Sequence, residues 1–154
     1  MTVTVALPAA DDTTALGERL ARLLRAGDLV LLAGDLGAGK TTLTRGIGAG
    51  LQVRGAVTSP TFVIARVHPS TVDGPALVHV DAYRLGSLAE VDDLDLDASL
   101  PDSVTVVEWG EGKAEGLADD RLEITLRRSS DPADERRTAV LRGIGPRWAG
   151  VALG

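Results

Sequence analysis

Residues 34–41 combine glycines, a lysine and a threonine at the spacing that binds the phosphates of a nucleotide. The segment reads Gly-Asp-Leu-Gly-Ala-Gly-Lys-Thr and matches the Walker A pattern G-x-x-x-x-G-K-[ST] without a mismatch. Lys40 would contact the β- and γ-phosphates, and the Thr41 hydroxyl would bind Mg²⁺. A glycine-rich turn that binds nothing needs neither side chain at these offsets. The predicted nucleotide-binding residues of this segment are Asp35, Leu36, Gly37, Ala38, Gly39, Lys40, Thr41 and Thr42.

Two carboxylates follow apolar segments later in the chain and could complete a magnesium site. Residues 104–107 lead into Glu108, and residues 77–80 lead into Asp81. Sheets that carry a phosphate loop place acidic groups at the ends of neighbouring strands, where they position Mg²⁺ and water. Either acid could instead cap a helix or pair with Arg84. We expect both to belong to the site.

Most of the few aromatic side chains lie beside these motifs. Phe62, Tyr83 and Trp109 are three of the four aromatic residues in the chain, and core packing explains each ring as well as a site does. Thr61 follows the polar turn Ser59-Pro60 and could sense a γ-phosphate as switch loops do. These residues are further candidates for the site.

The phosphate loop is predicted to join a strand to a helix. Residues 29–33 are a short apolar run, which is typical of a strand covered on both faces. Residues 40–51 place apolar side chains on one helical face. Before them we predict a strand over residues 2–7 and a helix that Asp11 or Asp12 caps and that residues 26–28 end. The apolar face of this first helix is Leu16, Leu20, Leu23 and Leu24.

The chain after residue 51 is predicted to form mainly strands. Residues 62–67 and 77–81 are predicted to form a hairpin, and residues 103–107 another buried strand. Residues 121–126 and 138–141 are predicted to pair antiparallel around a charged turn. The acidic segment from Asp92 to Asp97 is interpreted as a solvated helix and loop in preference to a binding patch. We therefore predict an α/β fold like that of P-loop NTPases: a three-layer sandwich whose mixed sheet has a parallel centre and antiparallel additions.

Composition narrows the classes of function. The 154 residues suit one domain over residues 1–154, and 44% hydrophobic content can fill one core. A formal net charge of −6 argues against a protein that holds nucleic acid by itself. The chain contains no cysteine, and two histidines far apart in sequence make a poor metal cluster. The start lacks a basic signal region and the apolar runs are too short to cross a membrane, so we expect a cytoplasmic protein with no membrane partner.

Four motifs in this order resemble one family closely: residues 34–42, 59–62, 79–84 and Glu108-Trp109. Together they are similar to the TsaE family, also called YjeE, over nearly the whole chain. The resemblance implies the small ATPase of bacterial threonylcarbamoyladenosine synthesis, which modifies the adenosine next to the anticodon in tRNA. It implies TsaB and TsaD as partners, with TsaD transferring the threonylcarbamoyl group and ATP turnover supporting repeated cycles. The tRNA would be contacted only indirectly, through that complex.

The resemblance also implies roles for individual residues. Thr41 and Glu108 would be the ligands of Mg²⁺, and Asp81 would support hydrolysis, which makes Lys40, Asp81 and Glu108 the expected catalytic residues. Thr61 would lie in a switch-like segment.

Other implied contacts surround the nucleotide. Trp109 would lie beside it, and the adenine would rest between the start of the first helix, near Ala10, and the late hairpin, at Arg136.

Two other functions remain open on the sequence. The same loop and metal site serve P-loop kinases of small molecules, in which an arginine-bearing lid could be formed by Arg127, Arg128, Arg136 and Arg137. Alternatively, ATP could serve only to order residues 59–62 for a partner. A GTPase is disfavoured because the chain has no asparagine, which the guanine-binding signature requires.

Overall fold

The computed structural model describes residues 2–34, 38–53, 65–81, 102–108, 120–128, 131, 133–134, 136–151 and 153, with the backbone alone for residues 65, 66 and 81. Two helices and seven strands are described there. In chain order they are β1 (Thr2–Leu7), α1 (Ala10–Ala21), β2 (Leu29–Gly34), α2 (Lys40–Leu51), β3 (Ala65–His68), β4 (Ala76–Asp81), β5 (Ser103–Glu108), β6 (Arg121–Arg128) and β7 (Arg137–Ile144), before a 3₁₀ turn at Pro146–Trp148. None of the helices in this part of the chain is long and apolar enough to cross a membrane.

The seven strands form one mixed sheet in the order β1-β7-β6-β2-β5-β4-β3. Strand β2 pairs in parallel with β5 and β6, and β4 pairs in parallel with β5. Strand β7 runs antiparallel to β6 and β1, and β3 runs antiparallel to β4. The predicted α/β fold with a parallel centre and antiparallel additions is therefore confirmed. Its parallel strands bring the end of β2 to the same edge as the ends of β4, β5 and β6.

Helices α1 and α2 pack against each other through glycines. A β-carbon on Gly17 would collide with the carbonyl oxygen of Leu43, and one on Gly46 would collide with the carbonyl oxygen of Thr14. A β-carbon on Gly50 would lie 2.5 Å from that of Ala21. The two backbones can approach this closely only because side chains are missing at the contact, so the helices are held in a fixed relation.

One continuous apolar core lies between this helix pair and the sheet. Its leucines on α1 and α2 pack with alternate residues of the strands, including Val30, Leu32, Val106, Leu122 and Ile124. The other face of the central strands is buried too, at Leu29, Leu31, Val78, Val80, Thr105 and Val107. Burial on both faces explains the continuous apolar runs in the sequence. Both described helices pack on the first face, so the described residues do not test the predicted third layer.

The first helix differs from its prediction at both ends. It begins at Ala10 with Ala9 as the N-cap, and the Asp12 carboxylate accepts a hydrogen bond from the Ala9 N–H at 2.9 Å. The prediction that Asp11 or Asp12 is the cap is therefore wrong, because Asp12 acts from the third helical position. The helix ends at Ala21, well before residues 26–28. The Asp28 carboxylate accepts a hydrogen bond from the Arg25 N–H at 2.8 Å in the turn that follows.

Most other predicted elements are confirmed within a few residues. Strand β1 and helix α2 have the predicted bounds, whereas β6 and β7 extend beyond theirs. Strand β3 begins at Ala65, and residues 62–64 lie outside the described part of the chain, as do residues 92–97.

An ion pair holds the C-terminal segment against the start of β2. The Arg147 Nε lies 3.0 Å from Asp28 Oδ1, its Nη2 lies 3.0 Å from Oδ2, and Nη2 also donates to the Leu23 carbonyl. The Arg147 N–H donates to the Asp120 carboxylate, while the neighbouring Trp148 is 2% exposed. This bidentate pair therefore fixes the end of the sheet opposite the phosphate loop.

Candidate functional site

Glycines mark both ends of the phosphate loop, where the positive φ of the backbone disfavours other residues. Gly34 ends β2 with φ at +149°, and a β-carbon on it would lie 2.6 Å from the carbonyl oxygen of Leu126. Gly39 is the N-cap of α2 with φ at +106°, a conformation that favours glycine. The middle of the loop, residues 35–37, lies outside the described residues. The described ends join a strand to a helix N-terminus, as the Walker A pattern requires.

Lys40 spans the loop. It is the first residue of α2, is 7% exposed, and donates a hydrogen bond from Nζ to the carbonyl oxygen of Gly34 at 2.6 Å. Thr41 and Thr42 follow in the first helical turn and are partly exposed, whereas Ala38 is buried. The positive end of the helix and a largely buried ammonium group thus face the same loop, which favours an anion such as phosphate.

Glu108 lies beside the strand that leads into this loop. In the parallel register it pairs with Leu32, two residues before the end of β2, and on its other side with Asp81. Both acids therefore end neighbouring strands at the edge of the sheet that carries the loop. Glu108 is 4% exposed, and the side chain of Asp81 lies outside the description.

Sequence reasoning missed a buried neighbour of Glu108. His79 on β4 is fully buried, and its Nε2 lies 3.4 Å from Glu108 Oε1. Neither ring nitrogen, nor Glu108 Oε1, makes a hydrogen bond to any residue that the structure describes. One signal could have found it: His79 precedes Asp81 by two residues, which puts both on one face of a strand.

The oxygen donors in this region suit Mg²⁺. Glu108 Oε1 is a buried carboxylate oxygen that makes no hydrogen bond to any described residue, and such an atom is costly unless a cation or a donor approaches it. Mg²⁺ takes oxygen ligands such as carboxylates and hydroxyls, often together with phosphate oxygens. The Glu108 carboxylate and the Thr41 hydroxyl are therefore donors of the kind that Mg²⁺ prefers.

The start of α1 lies next to the phosphate loop. Thr13 is buried, and its Cγ2 would lie 3.6 Å from a β-carbon on Gly39. Ala10, one turn earlier, is exposed at the first position of the helix. The β1–β7 register pairs Leu7 with Arg137, which brings the β1–α1 connection to the start of β7.

Arg136 lies at this same corner of the sheet. Its side chain is 77% exposed and makes a forked contact with Asp134, with Nε 3.0 Å from Oδ1 and Nη2 2.9 Å from Oδ2. The hydrogen bond to Asp134 raises the pKa of Arg136, so the group stays charged. The fold thus brings the starts of α1 and β7, the two segments expected around the adenine, to one region. Of the other predicted site residues, Asp35, Leu36, Gly37, Thr61 and Trp109 lie outside the described residues.

Comparison with known proteins identifies relatives along most of the chain. The protein named tRNA threonylcarbamoyladenosine biosynthesis protein TsaE from Streptomyces coelicolor is 71% identical over 136 residues, which cover 87% of this chain and 92% of that protein. Proteins of the same name from Mycobacterium tuberculosis and Bacillus subtilis are 52% and 36% identical, covering 82% and 90% of this chain and 80% and 84% of theirs.

A solved structure has the same fold. The crystal structure of YdiB from Bacillus subtilis superposes with a TM-score of 0.75 and 29% sequence identity, covering 97% of this chain and 90% of that one. The sequence model described as threonylcarbamoyl adenosine biosynthesis protein TsaE matches residues 7–138. This chain belongs to the TsaE family.

Proposed function

We propose that this protein binds Mg-ATP at the phosphate loop and hydrolyses it as an accessory ATPase of tRNA threonylcarbamoyladenosine biosynthesis. The observation that carries the proposal is the placement of Glu108. Its buried carboxylate has an oxygen without a hydrogen bond among the described residues. Glu108 is in register with Leu32, a residue of the strand that leads into the loop. Membership of the TsaE family supports the pathway.

The phosphates would be bound by the loop and by the start of α2. Lys40 already donates to a carbonyl oxygen inside the loop, so its ammonium group can exchange the Gly34 oxygen for β- and γ-phosphate oxygens with little movement. The N–H groups at the N-terminus of α2 would add the positive end of the helix dipole. The burial of Lys40 strengthens these charge interactions, because water screens them poorly there.

Hydrolysis requires a water molecule in line with the bond between the γ-phosphorus and the bridging oxygen. When bound, Mg²⁺ would neutralise charge on the phosphate oxygens. Glu108 would hold the ion together with Thr41, and Asp81, beside it in register, would orient the water and accept its proton. The new P–O bond forms as the bridging bond breaks, which yields ADP and phosphate.

The partners of this activity would be TsaB and TsaD. The formal net charge of −6 fits a protein that leaves tRNA binding to a complex, because nucleic acid affinity depends on clustered Lys and Arg. We propose a cytoplasmic location and a single domain for the same accessory role.

The kinase interpretation gains no support from the hairpin. Arg127, Arg128 and Arg137 belong to β6 and β7, which are paired within the central sheet, and Arg136 is paired with Asp134. A lid that closes over an acceptor would need these arginines on a movable element.

The proposal is tested by ADP release from the purified chain with Mg-ATP, alone and with TsaB and TsaD of the same organism. We expect slow release alone and strong stimulation by the two partners together. The protein would instead be a nucleotide-gated binding module if two results were found together. Partner binding would require ATP and be equally strong with a non-hydrolysable analogue, and no ADP would be released. Phosphate transfer to a metabolite without a response to TsaB and TsaD would establish a kinase.

A further inference from the structure

The buried imidazole of His79 has no assigned role in the proposed hydrolysis. The strand pairing places it between Arg66 on β3 and Val106 on β5. It is fully buried on the core face of β4, in register with Val106 and two residues after Leu77, both of which are core residues. A leucine would suit such a position. Burying an imidazole whose nitrogens lack partners in the described part of the chain costs free energy, so the group calls for a functional explanation.

We propose that His79 is a positioning residue for Glu108, donating a hydrogen bond from Nε2 to Oε1 and so orienting the carboxylate toward Mg²⁺. This inference rests on the proposed function, because it assumes that Glu108 binds the ion. The two side chains share one face of the sheet: His79 pairs with Val106, and Glu108 follows Val106 by two residues on β5. His79 therefore reaches Glu108 diagonally across neighbouring strands.

The distance between His79 Nε2 and Glu108 Oε1 suits a hydrogen bond that shortens when Mg²⁺ binds. Nε2 and Oε1 are 3.4 Å apart, a few tenths of an ångström longer than a usual N–H···O hydrogen bond of about 2.9–3.0 Å. Hydrogen bonds in unliganded active sites are often long and shorten in the complex. A small rotation of the Glu108 side chain would close the gap.

The contact also specifies the tautomer of His79. A neutral imidazole has one N–H donor and one acceptor, and an ionised carboxylate can only accept. The bond to Glu108 therefore requires the proton on Nε2. Groups that hold a metal-binding side chain in this way commonly govern metal affinity, because they orient the ligand before the ion arrives.

Three substitutions separate a positioning role from simple packing. The amide nitrogen of His79→Gln lies near the place of Nε2, that of His79→Asn lies near the place of Nδ1, and His79→Leu removes both donors. We expect the Mg²⁺ concentration for half-maximal ATP hydrolysis to rise about 10-fold or more in the leucine and asparagine variants. The glutamine variant should stay within about twofold of the wild type, since it keeps the donor that faces Glu108. Equal effects in all three variants, after thermal denaturation shows that each is folded, would overturn the proposal.

A binding measurement gives a readout that does not depend on turnover. Calorimetric titration with ADP, with and without Mg²⁺, measures how much the metal strengthens nucleotide binding. We expect the leucine variant to bind ADP without Mg²⁺ as the wild type does and to lose most of the gain that Mg²⁺ provides. A full gain in that variant would contradict the proposal.

The tautomer of His79 is measured by nitrogen NMR of histidine-labelled protein at a pH well above the ordinary imidazole pKa of about 6.5. The chain has only two histidines, and the signal that disappears in His79→Gln identifies His79. We expect His79 to be the Nε2–H tautomer in the wild type. The Nε2 resonance of His79 should shift in Glu108→Gln. The Nδ1–H tautomer, or no response to Glu108→Gln, would overturn the inference. This result is separate from that of the proposed function, which fails instead if the wild type hydrolyses no ATP with TsaB and TsaD.

Discussion

Lys40 and Gly34 close the phosphate loop: the Lys40 ammonium group donates a hydrogen bond to the Gly34 carbonyl oxygen at 2.6 Å. The first residue of α2 is thereby joined to the last residue of β2. Lys40 is 7% exposed, so this charge is held in a place where few water molecules can replace its partners. A bound phosphate could therefore replace the Gly34 carbonyl as the partner of the Lys40 ammonium group.

Replacing Lys40 by methionine should weaken ATP binding much more than it weakens the fold. We expect the affinity to fall about 100-fold, because hydrogen bonds to charged groups contribute roughly 1.5–3 kcal/mol each and Lys40 would contact two phosphates. Isothermal titration with Mg-ATP measures the loss. Arg142→Met, which removes the same charge from an exposed position on β7, is the matched control and should leave the affinity unchanged.

The glycine at the start of α2 should be required for binding. Gly39→Ala places a β-carbon on a residue with φ at +106°, which costs about 1–3 kcal/mol of strain and distorts the loop. Gly150→Ala is a control, since Gly150 also has a positive φ, at +75°, and open space around it, but lies near the C-terminus. We expect urea denaturation to show both variants destabilised and ATP titration to show only Gly39→Ala impaired. Equal ATP affinity in both would argue against this loop as the site.

Replacing Glu108 by a neutral residue should not lower the free energy of unfolding. Glu108→Gln removes a buried charge with an oxygen that lacks a hydrogen bond in the described residues, so the free energy of unfolding should be unchanged or higher. Glu123→Gln, at a half-buried carboxylate 3.5 Å from Arg121, is the control and should change stability by less than about 0.5 kcal/mol. Urea denaturation without nucleotide measures both. A large loss of stability in Glu108→Gln would mean that this carboxylate serves the fold.

The ion pair between Arg147 and Asp28 should stabilise the fold without affecting catalysis. Arg147→Ala removes the bidentate partner of the Asp28 carboxylate, which is only 5% exposed. Breaking a buried ion pair in this way costs about 3–5 kcal/mol. The double variant, Asp28→Ala with Arg147→Ala, should lose less free energy of unfolding than the sum of the losses in the two single variants. Urea denaturation checks the cycle, and additive losses would show that the pair is not coupled. ATP hydrolysis under conditions where the variants are folded should match the wild type.

Local patterns predicted most of the elements that hold the site. Helix α2 follows from apolar side chains at helical spacing after the glycines, and β2 and β5 follow from apolar runs that are buried on both faces. The ends of α1 were harder to predict, because Asp12 and Asp28 bond to backbone groups three residues away instead of acting where their sequence positions suggest.

Contacts between distant segments could not be read from the sequence. His79 meets Glu108 only because β4 and β5 pair in one register, and Arg147 meets Asp28 across 119 residues of chain. A change of register by one residue would turn His79 to the other face. The fold class and the position of Glu108 at the end of a buried strand were therefore predictable, whereas the contact between His79 and Glu108 was not.

The role of Glu108 in ATP hydrolysis is tested most directly by comparing ADP formation from Mg-ATP by the wild type and by Glu108→Gln, each with TsaB and TsaD. If Glu108 holds Mg²⁺ for hydrolysis, the partners stimulate the wild type and the variant is at least about 100-fold slower. The ADP affinity without Mg²⁺ should be nearly the same in both proteins. Stimulated hydrolysis by Glu108→Gln at the wild-type rate would contradict this role of Glu108.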